Sequence, residues 1–262
     1  RYSKDGSKLL INQGWKKATN VWDIATNSSI LEIDTKDFYP EWNHSETKIV
    51  FGAHSEKQSA VLDIASKELT TFDYEHPITT GASFNNDGSK ILTHSHTEGN
   101  FFIWDINNKN LLATLNYQEK IGDESQPISG SRNSDDNFQH PSALGSFTPD
   151  GSKVIIAAPN LTVQLWDAQS GELLQSKSIT ENVLEFNKII FSTDGLRMFI
   201  PLRNGKCYVC TLPNDYSEIP DFKSSVPVTK GYAYLANSGH LKPLHLPQRG
   251  ITSSLMLDDK NQ

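Results

Sequence analysis

The chain has 262 residues, a hydrophobic fraction of 36% and a formal net charge of −7 at pH 7. This length is enough for one large domain with its own core, and the absence of any run of 18 apolar residues excludes a transmembrane helix. The acidic charge disfavours nucleic acid as a ligand, because a phosphate-binding face needs clustered Lys and Arg and the nearest approach to one is the pair Lys16-Lys17.

One phrase recurs along the chain: an aromatic residue, two further residues, Asp-Gly, one residue, Lys or Arg, and then two or three apolar residues. Full copies occupy residues 2–10, 84–92, 147–155 and 191–199, and a weaker copy with Ser45-Glu46 in place of Asp-Gly occupies residues 42–50. Asp-Gly between apolar runs forms a tight hairpin turn, since Gly accepts a positive φ and Asp bonds to nearby backbone. Each copy therefore predicts a strand, a tight turn and a second, buried strand.

A second phrase follows the first at a nearly fixed distance. It occupies residues 21–24, 61–64, 103–106 and 165–168, and its centre is Trp-Asp in three copies and Leu-Asp in the other. In the last repeat Cys210 occupies the same position as the Trp. This phrase predicts a third strand, and a second turn such as residues 168–172 leads to a fourth apolar run. Helical periodicity is absent, so the sequence predicts units of four short antiparallel strands.

Four-stranded units of about 40 to 45 residues that end near Trp-Asp resemble the WD40 repeat family, whose blades pack radially into a β-propeller. The resemblance covers residues 1 to about 212 as five blades, and it implies an all-β propeller of four-stranded antiparallel blades. Residues 213–262 are predicted to form a linker followed by a divergent sixth blade or a C-terminal extension. Because the chain opens at the end of a first strand, we expect about one blade upstream and a natural ring of seven.

The repeats depart from the family pattern in three ways. The Gly-His pair that precedes the first strand in the family is not intact. The Asp expected in the central hairpin turn is replaced by Glu98, Asn160 and Asn204 in three copies and is missing in two. A complete His-Ser-Asp-Trp hydrogen-bond network is therefore not predicted in any blade. An insertion at about residues 118–140 is polar and acidic, which predicts a surface loop.

The two cysteines, Cys207 and Cys210, form a CxxC motif inside a predicted strand. Residues three apart on a strand point to opposite faces, so the pattern predicts two packed small side chains and not a redox or metal site. Two free thiols without a disulfide framework fit a reducing compartment. We therefore expect an intracellular, cytoplasmic location.

The function favoured by the resemblance is a protein-interaction scaffold, either a subunit of a multi-protein assembly or a propeller segment of a longer polypeptide. Loops joining the second and third strands of the blades are expected to lie on one face, where one or more proteins or peptides would dock. Trp and Arg most often dominate interface energy, which favours Trp15 and Arg203 as the main contacts. The predicted partner-binding residues are Trp15, Lys16, Lys17, Thr97, Glu98, Asn160, Arg203 and Asn204.

The alternative function is a propeller-fold enzyme, hydrolytic or metal-dependent, with a site on one face of the ring. No nucleophile elbow, zinc-protease motif, P-loop or dinucleotide-binding motif occurs in the sequence. His94 and His96 alternate on one predicted strand and could share a face, but no third metal ligand can be identified. The sequence therefore predicts no catalytic residue, no metal and no cofactor.

Overall fold

The structure is a computed structural model, and it describes residues 2–3, 5–12, 19–33, 38–52, 58–73, 82–95, 100–117, 143–158, 162–179, 189–192, 194–201, 206–222, 225–227, 232–237 and 240–245. These residues form strands, turns and extended connections. Within them no helix has the length and apolar character needed to cross a membrane.

The described strands group into six sheets. The first contains β1 (Lys8–Asn12), β2 (Thr19–Asp23) and β3 (Ser28–Ile33); the second β4 (Phe38–Trp42), β5 (Lys48–Gly52), β6 (Gln58–Asp63) and β7 (Leu69–Asp73); the third β8 (Ala82–Phe84), β9 (Lys90–Ser95), β10 (Asn100–Asp105) and β11 (Leu111–Asn116); the fourth β12 (Leu144–Phe147), β13 (Lys153–Ala158), β14 (Thr162–Asp167) and β15 (Leu173–Ser178); the fifth β16 (Ile190–Phe191), β17 (Arg197–Pro201), β18 (Lys206–Thr211) and β19 (Ser225–Pro227); the sixth β20 (Tyr232–Asn237) and β21 (His240–His245).

In each sheet the strands lie side by side in the order in which they follow along the chain. The predicted antiparallel four-stranded unit is therefore confirmed. The first sheet has three strands, and Tyr2 forms an isolated antiparallel bridge with Leu9, where the sequence predicted the end of a first strand.

The turn between the first two strands of each repeat is closed by a hydrogen bond that the sequence phrase does not reveal. The residue after the aromatic residue is Ser, Thr or Asn, and its side-chain oxygen accepts the backbone N–H of the Lys or Arg five residues later. The N···O distances are 2.8 Å for Ser3–Lys8 and Asn43–Lys48, 2.9 Å for Asn85–Lys90, and 3.0 Å for Thr148–Lys153 and Ser192–Arg197.

The same turn needs a left-handed residue at its tip. Four copies have Gly there, with φ between +70° and +73°: Gly6, Gly88, Gly151 and Gly195. The weaker second copy has Glu46 at φ +58°. A left-handed conformation costs a residue with a Cβ roughly 1–2 kcal/mol, which is the physical reason that Gly recurs at this position.

A second turn joins the third strand to the fourth. In the first four sheets it follows an Asp whose carboxylate accepts backbone N–H groups two or three residues ahead, as Asp105 does from Asn107 and Asn108 at 2.8 Å each. The fourth residue after that Asp has a positive φ in every one of these sheets: Asn27, Lys67, Lys109 and Gly171.

The core of the first three sheets includes two clusters of buried side chains. One cluster lies between the first and second sheets and contains Leu10, Val21, Ile49, Phe51 and Leu62. The other lies between the second and third sheets and contains Val50, Val61, Phe72, Ala82, Ile91, Trp104 and Ile106. Both clusters take side chains that point alternately to the two faces of β5, as period-two alternation requires.

The chain divides into two compact units. The first comprises residues 1–118, 145–155 and 166–174, and the second comprises residues 119–144, 156–165 and 175–262. The first three sheets belong to the first unit, the fifth and sixth belong to the second, and the fourth contributes residues to both.

The region after Thr211 differs from the sequence prediction in its strands. The sequence predicted no strand between Thr211 and Gly231, but Ser225–Pro227 pairs with β18 and forms the fourth strand of the fifth sheet. Strands predicted at about 231–235 and 241–246 correspond to β20 and β21. A third predicted strand, at 251–257, lies outside the described residues.

Cys207 and Cys210 both lie on β18, and both thiols are free. Cys210 is buried on the same face as Tyr208, whereas Cys207 is partly exposed on the other face. Burial raises the pKa of Cys207 to about 11 and that of Cys210 to about 12. The thiolate form that redox or metal chemistry needs is therefore disfavoured at neutral pH.

Candidate functional site

The predicted partner-binding residues all lie outside the described residues, as does the insertion predicted at 118–140. Their predicted role therefore stays a prediction. Each of them lies in a segment that joins the second and third strands of a repeat, so the strand ends that carry these segments can be described. These residues are Trp15, Lys16, Lys17, Thr97, Glu98, Asn160, Arg203 and Asn204.

The strands flanking these segments are paired up to their last residues. Asn12 pairs with Thr19 around residues 13–18, Ser95 pairs with Asn100 around residues 96–99, and Pro201 pairs with Cys207 around residues 202–206. Antiparallel strands bring the start and the end of such a segment together. Each segment therefore leaves and re-enters its own sheet at one end, which we call the loop end of that sheet.

In the first, third and fourth sheets the first or second residue of the third strand is buried close to the loop end. Thr19 and Val163 are fully buried, and Phe101 is 3% exposed. The neighbouring Asn20 is also buried, and its Oδ1 accepts a hydrogen bond of 3.0 Å from Ser29 Oγ. These packed residues make the loop end of each of these sheets rigid.

His94 belongs to an aromatic cluster near the loop end of the third sheet. Its ring is 3% exposed and stacks on Phe101, with centroids 4.3 Å apart and planes 17° from parallel. Its Nε2 shares a hydrogen bond of 3.1 Å with Tyr117 Oη. His96 lies outside the described residues. No group of three potential metal ligands occurs in the part of the chain that the structure describes.

Gly145 completes what we call the His94 cluster, which consists of His94, Phe101, Tyr117 and Gly145. A Cβ at Gly145 would lie 2.5 Å from Phe101 Cε1 and 2.9 Å from Leu92 Cδ2. Real Cβ contacts of this length do not occur, so only Gly permits this approach of β12 to the third sheet. Apart from the His at position 94, no pattern of residues predicts this cluster.

At the opposite end of the sheets, which we call the turn end, Asp carboxylates accept hydrogen bonds from their own turns. Hydrogen bonds from backbone N–H groups and hydroxyls of the same turn hold the pKa of seven Asp residues below the usual range: Asp5, Asp23, Asp63, Asp87, Asp150, Asp167 and Asp194. The pKa of Asp167 is lowered to about 2, first by the backbone N–H of Ser170. These carboxylates already have their hydrogen bonds within the chain.

One part of the family's hydrogen-bond network is present in the third sheet. Trp104 Nε1 donates a hydrogen bond of 3.2 Å to Thr93 Oγ1, and both side chains are buried. This bond joins the second and third strands of the sheet. The two recurring phrases do not predict this hydrogen bond, because Thr93 lies outside both of them.

The fold is similar to that of solved β-propellers. The β-propeller domain of Cps50 (Swd1) from Myceliophteria thermophila superposes with a TM-score of 0.62 over 86% of this chain and 69% of that chain, at 13% sequence identity. No protein-family model matches the sequence, and no curated protein has a significantly similar one. The predicted all-β fold of the WD40 propeller type is thereby confirmed. At this identity the likeness concerns the fold alone.

Proposed function

We propose that the chain is a protein-interaction scaffold that docks one or more proteins or peptides through the loop ends of its sheets. In this proposal it acts as a subunit of a cytoplasmic multi-protein assembly, or as the propeller segment of a longer polypeptide. It performs no chemistry itself.

The contrast between the two ends of the sheets carries the proposal. At the turn ends the same residue types recur from sheet to sheet, and their polar groups are bonded within each turn, as for Asp105 and Asp167. The segments at the loop ends vary more: residues 13–18, 96–99 and 202–205 read QGWKKA, HTEG and LRNG, and only the last two share a turn that ends in Gly. Repeated residues meet a common structural need, whereas residues that vary between equivalent positions are free to serve recognition.

The residue types at the loop ends suit an interface with a protein. Trp15 offers a large apolar surface, and Arg203 offers planar, multiple hydrogen-bond donors. Each contributes on the order of 2 kcal/mol or more to binding when it lies at the centre of an interface. The remaining predicted residues are polar or charged, as is usual for the rim of such a surface.

The test is quantitative affinity purification with mass spectrometry on the tagged chain and on the variants Trp15→Ala and Arg203→Ala. We expect each variant to capture the main partner about tenfold less than the parent chain does. Lys67→Gly is the matched control, because Lys67 is exposed in a turn at the opposite end of the second sheet and has a positive φ that Gly accepts.

The controls separate loss of binding from loss of folding. Thermal unfolding should show all three variants folded, and Lys67→Gly should keep the full set of captured proteins. If the double variant Trp15→Ala/Arg203→Ala captures every partner as well as the parent chain does, the loop ends are not the docking surface.

A further inference from the structure

One face of the first sheet carries a row of apolar side chains near its turn end. Tyr2 forms a bridge with Leu9, and Leu9 pairs with Trp22, so these three side chains lie next to one another on the same face. Ile24 follows shortly after, and its counterpart Ile106 in the third sheet shares a core cluster with the Trp of that sheet. We call this surface the Trp22 face; it consists of Tyr2, Leu9, Trp22 and Ile24, with Gly6 in the adjacent turn.

The Trp22 face is more exposed than the same positions of the second and third sheets, although all three sheets belong to the first compact unit. Leu9 is partly exposed, whereas Ile49 and Ile91 at its position of the repeat are fully buried. Ile24 is 42% exposed, whereas Ile106 at its position is 6% exposed. The third sheet is therefore covered where the first sheet is open, and the second sheet is covered at Ile49.

The sheet that precedes each of these two sheets provides the cover. Leu10 and Val21 of the first sheet share a core cluster with Ile49 of the second. Val50 of the second sheet shares another core cluster with Ile91 of the third. The covering residues are branched apolar side chains on the face of a β-sheet. The Trp22 face is therefore complementary to the apolar face of a further sheet.

The glycines of the first turns follow the same order. A Cβ at Gly88 of the third sheet would lie 3.2 Å from Asn43 Nδ2 of the second sheet. A Cβ at Gly151 of the fourth sheet would lie 3.4 Å from Asn85 Nδ2 of the third sheet. A Cβ at Gly6 would meet no atom within 4 Å in the part of the chain that the structure describes. There is room beside Gly6 for a short polar side chain.

The aromatic residue of the first phrase indicates that the Trp22 face is exposed when no partner is bound. The third and fourth sheets have Phe84 and Phe147 at this position, whereas the first has Tyr2, which is 57% exposed. A Tyr ring can pack on a partner while its hydroxyl stays in water, which is one reason why Tyr and Trp are enriched at protein interfaces. Trp22 adds a residue type that often dominates binding energy.

We propose that the Trp22 face docks a partner protein that supplies a β-sheet of the same kind. The partner's sheet presents branched apolar residues to Trp22 and a short polar side chain beside Gly6. A second copy of this chain is not the occupant, because the described residues of this type already cover neighbouring sheets, as Leu10 and Val50 do. This surface differs from the loop ends, so the inference goes beyond the proposed function and does not fail with it.

The test is photo-crosslinking from p-benzoylphenylalanine placed at position 24 of the full chain, in cells of its source organism. We expect mass spectrometry to show position 24 joined to a second polypeptide, within a segment of alternating apolar residues. The same replacement at Leu69 is the matched control, because Leu69 is 50% exposed on the fourth strand of the second sheet. It should give no crosslink to that polypeptide.

Binding to the identified polypeptide is then measured by calorimetry with purified proteins. Ile24→Arg should weaken binding at least tenfold, because it places a charge in an apolar contact. Leu69→Arg should change binding less than twofold. Thermal unfolding should show both variants folded, since both side chains are exposed. If Ile24→Arg does not fold, Tyr2→Ala tests the same face at the other end of the row.

Four results would overturn the proposal. Crosslinks from position 24 to the same polypeptide would show that the chain covers this face itself, as the blade expected upstream from the sequence would do. Crosslinks between isotopically light and heavy copies would show self-association. The absence of any crosslink specific to position 24 would show that the face is solvated. Binding that Ile24→Arg leaves unchanged would show that the partner docks elsewhere.

Discussion

The third and fifth sheets have the same strand order and nearly the same first turn. Different side chains, however, stabilise the outer half of each sheet, by which we mean its third and fourth strands. In the third sheet Trp104 and Asp105 occupy the end of the third strand. In the fifth sheet the equivalent positions are Cys210 and Thr211. Comparing the two shows which parts of the repeat the fold requires and which it can replace.

In the third sheet Trp104 is both packed and hydrogen-bonded. Its indole contacts Phe72 edge-on with centroids 6.0 Å apart, and its Nε1 bonds to Thr93. Asp105 then closes a short connection, residues 106–110, before β11 begins. The packing and the turn are therefore encoded by two adjacent residues.

In the fifth sheet the same needs are met by a longer connection, residues 212–224. Tyr216 is buried within it and donates a hydrogen bond of 3.1 Å from its Oη to the carbonyl oxygen of Gly195. Phe222 packs edge-on against Tyr208 with centroids 5.4 Å apart.

The same connection is also fastened to β15. The Ile219 backbone N–H donates to Gln175 Oε1 at 2.6 Å, and Lys177 Nζ lies 2.6 Å from Asp221 Oδ1. Because Asp221 is 73% exposed, the ion pair contributes little, and the buried Ile219 and Tyr216 do most of the stabilising. The fold thus requires a packed outer half in each sheet but not a particular Trp-Asp pair.

We expect the largest difference in stability between the two sheets when the side chain at the Trp position of the repeat, which is Trp104 in one and Cys210 in the other, is changed to Ala. Trp104→Ala should lower the free energy of unfolding by about 3–5 kcal/mol, because it removes a buried aromatic ring from the core. Cys210→Ala should cost about 1 kcal/mol, because it removes one buried atom. Urea denaturation of the full chain measures both values.

Trp104→Phe is the control for the third sheet, since it keeps most of the apolar surface and loses the bond to Thr93. It should cost clearly less than Trp104→Ala. Equal losses for Trp104→Ala and Cys210→Ala would contradict the view that the fifth sheet has moved its packing elsewhere.

The next effect concerns Tyr216, the buried aromatic residue in the longer connection of the fifth sheet. Tyr216→Ala should lower the free energy of unfolding by about 3 kcal/mol, because the ring is 6% exposed and bonded. Tyr216→Phe removes the hydrogen bond alone and should cost about 1 kcal/mol. Urea denaturation followed by far-UV circular dichroism distinguishes the two. A neutral Tyr216→Ala would show that residues 212–222 are not part of the folded core.

The first turn is common to both sheets, so its glycines should respond alike. Gly88 and Gly195 have φ of +73° and +72°, and each change to Ala should cost about 1–2 kcal/mol. Glu46→Gly, in the one turn without Gly, should instead stabilise the chain by up to about 1 kcal/mol. Thermal unfolding measures all three, and a loss on Glu46→Gly would show that the second turn is built differently.

The comparison also explains which parts of the fold were predictable. Asp87-Gly88 and Trp104-Asp105 predict turns and strands because each acts through its own local backbone. Tyr216 and Phe222 gave no such signal, because their partners, Gly195 and Tyr208, are 21 and 14 residues away in the sequence. The short strand β19 was missed for the same reason: it is defined by pairing with β18 and not by its own residues.

The candidate site was less predictable than the fold. The loop ends follow from the repeat, since Asn12–Thr19 and Ser95–Asn100 mark where the paired strands stop. Their binding roles depend on a partner's surface, on which the sequence of one chain carries no information. The His94 cluster was missed because Gly145 acts by lacking a side chain, which no pattern of residue types shows.

The smallest expected effect is a pH-dependent loss of stability when Asp167 is replaced. Asp167 follows the Trp in the fourth sheet, and the fifth sheet has Thr211 at the equivalent position. The pKa of Asp167 is about 2 in the folded chain against an ordinary value of 3.8, so the unfolded chain binds a proton first as the pH falls. The stabilisation by Asp167 is then present above about pH 4 and is lost as the pH falls toward 2. Asp167→Asn should therefore be less stable than the parent chain at pH 7, by about 1 kcal/mol, and equally stable near pH 2.

Thr211→Asp is the matched variant in the fifth sheet, and it should not gain this pH dependence. The turn that follows Thr211 has its own hydrogen bonds, since Tyr216 N–H donates to Pro213 O and Ser217 N–H donates to Asp215. An Asp at position 211 would face Arg197 across the strand pair, as Asp167 faces Lys153, and such partly exposed pairs contribute less than about 1 kcal/mol. The urea midpoints of both variants at pH 7, 4 and 2.5 measure these effects. If Thr211→Asp gains as much stability at pH 7 as Asp167→Asn loses, the longer connection still forms the short turn of the other sheets. The two sheets would then differ less in structure than they do in sequence.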